Sequence, residues 1–282
     1  MTNTPKVCTK STPKGLCNIC GTFCNLTEDH VPPKGSVNPK KVTIKSLIPF
    51  FDKVDPKICR LSQNGMKFKS LCGRCNNERL GSNFDPSLNK FSHDFSKILN
   101  ANQTIILPGE INIKIQPQKL ARSIVGHLLA VEIRNDMAEP LRTAPMVDLM
   151  RKYFLDVTLD FPSDFNLYFW PYYIPERQVI LRALSISSIE QSGTVITLNG
   201  DFLKFYPFAF WLTYKAPKEK ILNLIGDKFF SEILIRGHNL DAWTNVSINL
   251  IQGNTIREDW PEAPNDTEIL LIKDSMCFIA EV

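Results

Sequence analysis

Two rhythms of hydrophobic and polar positions divide this chain. Residues 111–115 alternate Ile, Asn, Ile, Lys, Ile, the period of a half-buried strand, and residues 105–107 are a shorter apolar run of the same kind. Pro117 then stands where a helix can begin, and Leu120, Ile124, Leu128 and Val131 recur at helical spacing. Residues 146–155 predict a second helix. From Phe165 onward aromatic and β-branched residues dominate. Strands are expected over residues 166–170, 179–187, 194–198, 203–214, 232–236, 245–251 and 269–272. A helix pair followed by a mainly antiparallel sheet makes an α+β domain.

The first hundred residues read differently. Asn64-Gly65 is a strong two-residue hairpin signal between expected strands at 59–63 and 66–71. Residues 77–80 are mostly helix formers, with Gly81 placed to stop the helix. Asn, Ser and Asp then crowd residues 81–102, predicting a connector with one short helix at 92–99. The expected division is 1–100 and 101–282, in keeping with 282 residues at roughly 100–200 per domain.

Composition narrows the class. With 43% hydrophobic and 22% charged residues the chain is neither disordered nor fibrous. Its strongest apolar stretch, residues 205–214, is about half of a membrane span and contains Pro207. The N-terminus has no apolar core behind its charges, which predicts no secretory signal, no membrane association and a reducing cytoplasm. Cysteines there are metal ligands or buried thiols rather than disulfides. The net charge of +4 conceals an imbalance, +9 over residues 1–100 and −5 over residues 101–282. A field of that sign in the first part attracts polyanions.

Seven of the eight cysteines (Cys8, Cys17, Cys20, Cys24, Cys59, Cys72 and Cys75) fall in the same basic segment, and only Cys277 lies beyond it. Cys17 with Cys20 and Cys72 with Cys75 form two CxxC pairs. One such pair suits redox chemistry equally well. Two in one short segment, each with a glycine beside a cysteine (Gly21, Gly73), point to a tetrahedral S₄ site for structural zinc. Such a site contributes on the order of 10–16 kcal/mol of binding free energy in zinc-finger peptides. Cys8, Cys24 and Cys59 are left as buried or spare thiols.

Asp29-His30 follows the first pair, and Asn76 directly follows the second. A carboxylate and an amide oxygen are hard ligands for Mg²⁺ or Mn²⁺. An imidazole can take a proton from an attacking water. In this order the motifs resemble the HNH, or ββα-metal, endonucleases, in the subtype stapled by four cysteines. The residues that carry the likeness are 26–34 (Leu-Thr-Glu-Asp-His-Val-Pro-Pro-Lys) and 71–81 (Leu-Cys-Gly-Arg-Cys-Asn-Asn-Glu-Arg-Leu-Gly). The likeness covers roughly residues 15–85, under a third of the chain.

The resemblance implies a zinc-stapled, treble-clef-like nuclease domain at 1–100. His30 would be the general base, Asp29 and Asn76 the ligands of a catalytic Mg²⁺ or Mn²⁺, and Cys17, Cys20, Cys72 and Cys75 the zinc ligands. It implies a hydrolase that cleaves phosphodiester bonds of nucleic acid, DNA before RNA, with enzymes of this kind serving in antiviral defence. The acidic residues 101–282 would then dock a protein partner or regulator, and a homodimer would serve to cut both strands. Lys34, Arg74 and Arg79 are candidate phosphate contacts. Residues 34–57 read as an insertion relative to compact members, with Lys34, Lys40, Lys41, Lys45, Lys53 and Lys57 around the apolar run 47–51. Either it touches phosphate or it is a solvated helix packed through its apolar residues. His93 is expected to be exposed, His127 to be a satisfied core residue, His238 to lie in a loop, and the aromatic cluster 202–211 to be sheet core. Two rival readings use the cysteines without Asp29, His30 and Asn76: a non-catalytic zinc module that binds nucleic acid, and a pure interaction protein.

Overall fold

The computed structural model describes residues 13–38, 40–46, 57–101, 109–132, 134, 136–189, 195–225, 231–250 and 268–281. The apolar runs of the second half form long strands: β7 (Phe165–Pro171), β8 (Arg177–Ile189), β9 (Val195–Phe205), β10 (Phe208–Tyr214), the two-residue β11 (Ser231–Glu232) and β13 (Glu268–Glu281). At one end β13 pairs antiparallel with a strand from the first half, β3 (Lys41–Ser46), which pairs in turn with β4 (Lys57–Gln63). The resulting eight-stranded sheet has the order β11-β7-β10-β9-β8-β13-β3-β4. Residues 203–214, expected as one strand, are two, because Pro207 has no N–H for a ladder and sits in the turn between β9 and β10.

Over β7 and β10 both faces of this sheet are covered, which is why those strands lack polar alternation, whereas β3 at the far end alternates exposed and buried residues. On one face Phe91 stacks on Phe208 at 4.2 Å and Phe95 does so at 4.6 Å. On the other, Phe202 stacks on Trp211 at 5.1 Å within a second core that includes Tyr168, Trp170 and Leu181. The aromatic cluster is therefore buried sheet core.

Four helices fill the space between this sheet and the N-terminal strands. They are α1 (Arg74–Phe84, wound as a π-helix), α2 (Asp85–Ala101), α3 (Pro117–Ala130) and α4 (Pro145–Leu155); α5 (Lys218–Ile225) lies apart in sequence. Every residue of α3 except Lys119 is buried, so it is a central helix and not an amphipathic surface one. It carries its polar residues inward, and each finds a partner. Arg122 stacks on Tyr153 at 4.0 Å and donates to the carbonyls of Asp156 and Leu159. From β8, Arg182 pairs with Asp201 at 3.0 Å and also donates to the Leu128 carbonyl, which ties the large sheet to α3. The connector expected at 81–102 is almost wholly helical, as α1 and α2, and its apolar face joins the main core.

A three-stranded sheet, β1 (Lys14–Leu16), β2 (Phe23–Val31) and β5 (Met66–Cys72), carries the cysteine pairs, while β6 (Glu110–Ile115) pairs with β12 (Thr244–Asn249). Asn64 and Gly65 have φ of 59° and 85°, as a two-residue turn of this kind requires. The strands flanking them nevertheless do not form a hairpin. β4 leaves for the large sheet beside β3, and β5 pairs with β2. The Met66 N–H bonds to Gln178 Oε1 instead of a cross-strand carbonyl, and a side chain at Gly65 would strike Asn38 Oδ1 and Gln178 Oε1.

Residue 100 thus falls near the end of a helix. Elements on either side of it share one sheet and one core, in which Phe68 of β5 packs on Phe278 of β13. Within the basic insertion, residues 41–46 are a strand, and its last residue, Lys57, opens another; residues 47–56 lie outside the described residues. Cys8, Lys53, the run 47–51 and the expected strand 105–107 lie outside the described residues. Among the described residues no helix is long and apolar enough to cross a membrane.

Candidate metal centre and the face around His30

Cys17 and Cys20 sit in a tight turn ahead of β2. The turn is closed by Cys17 N–H to Thr22 O (3.0 Å) and Gly21 N–H to Cys17 O (2.9 Å), with Gly21 at φ 71°. Cys72 ends β5 and Cys75 enters α1, with the Cys75 N–H 3.4 Å from Cys72 Sγ. The four sulfurs all lie within 4.8 Å of one another, and those of Cys20 and Cys72 are 3.7 Å apart. A tetrahedral S₄ centre with bonds of about 2.3 Å has edges of about 3.8 Å. The cluster therefore has the size and donor set to hold a metal ion such as zinc. Thiols this close perturb one another. Hydrogen bonding to Cys20 pushes Cys17 up to about 12, contacts with Cys17 and Cys20 push Cys75 up, and Cys20 is lowered as their acceptor. A dication relieves that crowding, at the expense of protons that must leave.

The first turn is also anchored from outside the N-terminal segment. Asn18, fully buried, donates to the carbonyls of Leu129 (3.2 Å), in the last turn of α3, and Glu132 (2.5 Å), just past it. Arg151 of α4 donates to the Asn18 carbonyl and Arg134 to the Leu16 carbonyl, each at 2.8 Å.

Past the cluster, β2 alternates. Glu28 is exposed, Asp29 is buried, His30 is half-buried and Val31 is buried. Successive strand residues face opposite ways, so Asp29 and His30 do not share a face. His30 lies opposite Lys67 in register, and Glu28 opposite Lys69, with a bulge just before Glu28. Burial first, then the charges of Lys67 and Lys34, hold the His30 imidazole below its ordinary value. Asn76 reaches the same strand from α1. Its Nδ2 donates to Thr27 Oγ1 at 2.9 Å and to the Glu28 carbonyl at 3.0 Å. A carbonyl accepts only, which fixes the amide with Nδ2 toward β2 and Oδ1 away from it.

Asp29 turns inward. Its Oδ2 is 2.8 Å from His127 Nδ1 on α3, and His127 Nε2 is 3.0 Å from Asp85 Oδ1 at the start of α2. Ser123 donates to the same Asp85 oxygen at 2.7 Å. Burial alone would lower His127, but the two carboxylates outweigh it and push it up to about 10.

The structure thus brings His30 and Asn76 to one strand segment and directs the Asp29 carboxylate into the core. Of the expected pair of divalent-ion ligands, Asp29 is buried with its carboxylate engaged by His127, and Asn76 is held through its amide nitrogen to β2. Lys34 and Arg74 are exposed. Arg79 is not available as a phosphate clamp, since it donates to the Leu155 carbonyl at 2.6 Å and closes the end of α4. His93 is exposed on α2, with Nε2 2.8 Å from the Gly35 carbonyl, and His238 lies exposed near Asp160.

Sequence reasoning missed Lys67, Asp85 and the link between His127 and Asp29. Lys67 could have been found only through strand register. Asp85 and His127 sit in unrelated segments, and no local spacing joins them to Asp29. Cys24 is a fifth thiol at the cluster, raised by burial and by Cys72 and Cys20. No family model, no curated protein and no solved structure matches this chain.

Proposed function

We propose that the chain is a zinc-stapled hydrolase of nucleic-acid phosphodiester bonds, DNA foremost, in which His30 is the general base. The observation that carries this reading is the setting of His30. It is a half-buried imidazole on the outer side of β2, opposite Lys67 and near Lys34, and held below its ordinary value. Neutral at pH 7, it can accept a proton from water, while the ammonium groups beside it attract a phosphate. The order of cysteine turn, β2–β5 pair and α1 supports the likeness to four-cysteine HNH enzymes, as does the basic charge of residues 1–100.

In enzymes of that kind a divalent ion polarises the scissile phosphate and steadies the leaving oxygen. The oxygen atoms that this side of β2 offers such an ion are Asn76 Oδ1 and the Glu28 carboxylate, whose charge reaches His30. The residues themselves act in a simple sequence. Lys34 and Lys67 hold the phosphate, His30 takes the water proton, and Asn76 keeps β2 against α1 while it does so.

A second reading, a zinc module that binds nucleic acid without cutting it, is favoured by the engagement of Asp29 with His127. Plasmid cleavage by wild type and His30→Ala, with Mg²⁺, Mn²⁺ or EDTA, separates the two when run beside a gel shift. His30→Ala is expected to lose about 10²–10⁴-fold in rate with binding retained. The acid limb of the wild-type rate profile should lie below the ordinary histidine value of 6.5. Lys67→Ala should weaken binding and flatten its salt dependence. Binding without cleavage under any ion establishes the second reading, and absence of both removes nucleic acid as the partner.

A further inference from the structure

Among the buried charged groups, the one around His127 reaches the strand that bears His30. Four side chains from three elements take part: Asp29 of β2 (3% exposed), His127 and Ser123 of α3 (both 0%) and Asp85 of α2 (7%). The line runs from Ser123 Oγ to Asp85 Oδ1, from the other side of Asp85 Oδ1 to His127 Nε2, and from His127 Nδ1 to Asp29 Oδ2. Asp29 is the chain neighbour of His30, and the His30 backbone N–H lies where it favours the charged carboxylate. An ionised carboxylate only accepts, so a ring lying between two of them carries a proton on both nitrogens. Every polar atom in the line has its partner, which is the condition under which such a group rigidifies its surroundings.

We infer that His127 is a positioning residue, which holds the Asp29 carboxylate and through it the backbone of His30. The inference rests on the reading of His30 as general base, and it gives Asp29 a role other than ion ligand. β2 is then fixed from both sides beside the base. Asp29 anchors it to α3 and α2 from within, and Asn76 anchors it to α1 at Thr27 and Glu28. The bulge immediately before Glu28 leaves that stretch with fewer regular ladder bonds, so the two side-chain anchors do what the ladder does elsewhere.

Asp29→Asn, His127→Gln and the double variant test this. Asn at 29 keeps the shape but removes the charge that faces the ring and holds this stretch of β2 against α3. Cleavage kcat should fall about tenfold or more in each single variant, with KM and the half-saturating Mg²⁺ concentration changed by no more than about twofold. The double variant should be no worse than the poorer single one, because both break one line. A rise of about tenfold or more in half-saturating Mg²⁺ for Asp29→Asn alone, with His127→Gln unaffected, would make Asp29 an ion ligand and overturn the inference. Ser123→Ala, at the far end of the line, is the milder variant should His127→Gln fail to fold. It should lower kcat in the same pattern.

A readout independent of cleavage is the proton spectrum of the wild type. One histidine should show two slowly exchanging ring N–H signals, lost in His127→Gln, and the His30 amide should lose hydrogen-exchange protection in both single variants. Absence of the paired signals, or an unchanged His30 amide, overturns the inference. A wild type that cuts nothing under any ion removes the hydrolase reading, and the spectrum still decides whether His127 holds the strand.

Discussion

A histidine ring with a carboxylate on each nitrogen is expensive to bury and more expensive to break. Asp85→Ala would leave His127 with one partner and Ser123 with none, and a loss of about 3–5 kcal/mol is expected from urea unfolding. The pH dependence follows from the direction of the His127 shift. Its folded value, about 10, lies above the ordinary 6.5, so the contribution of the protonated ring is complete below 6.5 and is lost as pH rises through about 10. The urea midpoint of the wild type should fall across that window, and that of His127→Gln should fall less. The sequence marked His127 as a satisfied core residue, and it is one. What it did not reveal is that its two partners are Asp29, expected at an ion site, and Asp85, which drew no notice. No periodicity records which carboxylates a buried ring will meet, because the three residues become neighbours only when β2, α2 and α3 pack.

At the level of elements, α3 decides most of the arrangement. α1 and α4 close on it at Gly126, where an added Cβ would lie 2.5 Å from Phe154 Cε2 and 2.6 Å from Leu80 Cδ2. Gly126→Ala should therefore destabilise by about 1–3 kcal/mol of overpacking, against roughly 1 kcal/mol gained in helix propensity, measurable as a lower denaturant midpoint. The elements themselves were largely legible: β6, α3, α4 and most of the expected strands fall close to where periodicity and composition put them, although of residues 232–236 only Glu232, in β11, is strand. Pairing was less so. Asn64-Gly65 takes the turn conformation its residues demand, yet β4 and β5 separate: the Asn64 N–H goes to the Lys40 carbonyl and the Met66 N–H to Gln178 Oε1, both from elsewhere in the chain. Local chemistry sets a turn; it does not choose the partners of the strands that leave it.

For the molecule as a whole, the cysteine cluster is a junction rather than an appendage. Its first turn is held by Asn18, Arg134 and Arg151 to the segments that follow α3. Removal of metal by a strong chelator should therefore lower hydrogen-exchange protection around residues 129–151 together with residues 16–20. Loss confined to residues 16–20 would contradict the junction. The chain should also resist division at residue 100. A fragment of residues 101–282 lacks β3 and β4, which pair in the large sheet, and the α2 rings of Phe91 and Phe95 that cover it. It should be insoluble or unfolded when expressed alone, judged by circular dichroism and gel filtration.

The sequence by itself picked out the four cysteines that could hold a metal ion, since each CxxC pair is a local turn that presents two sulfurs together. It also determined the α+β character, which follows from residue period and composition along each segment. Only the tertiary structure decided which side of β2 each of Asp29 and His30 faces, that Arg79 caps a helix, and that elements on either side of residue 100 share one core. Those outcomes depend on contacts between segments far apart in the chain, and no pattern within a segment carries information about which distant segment will pack against it.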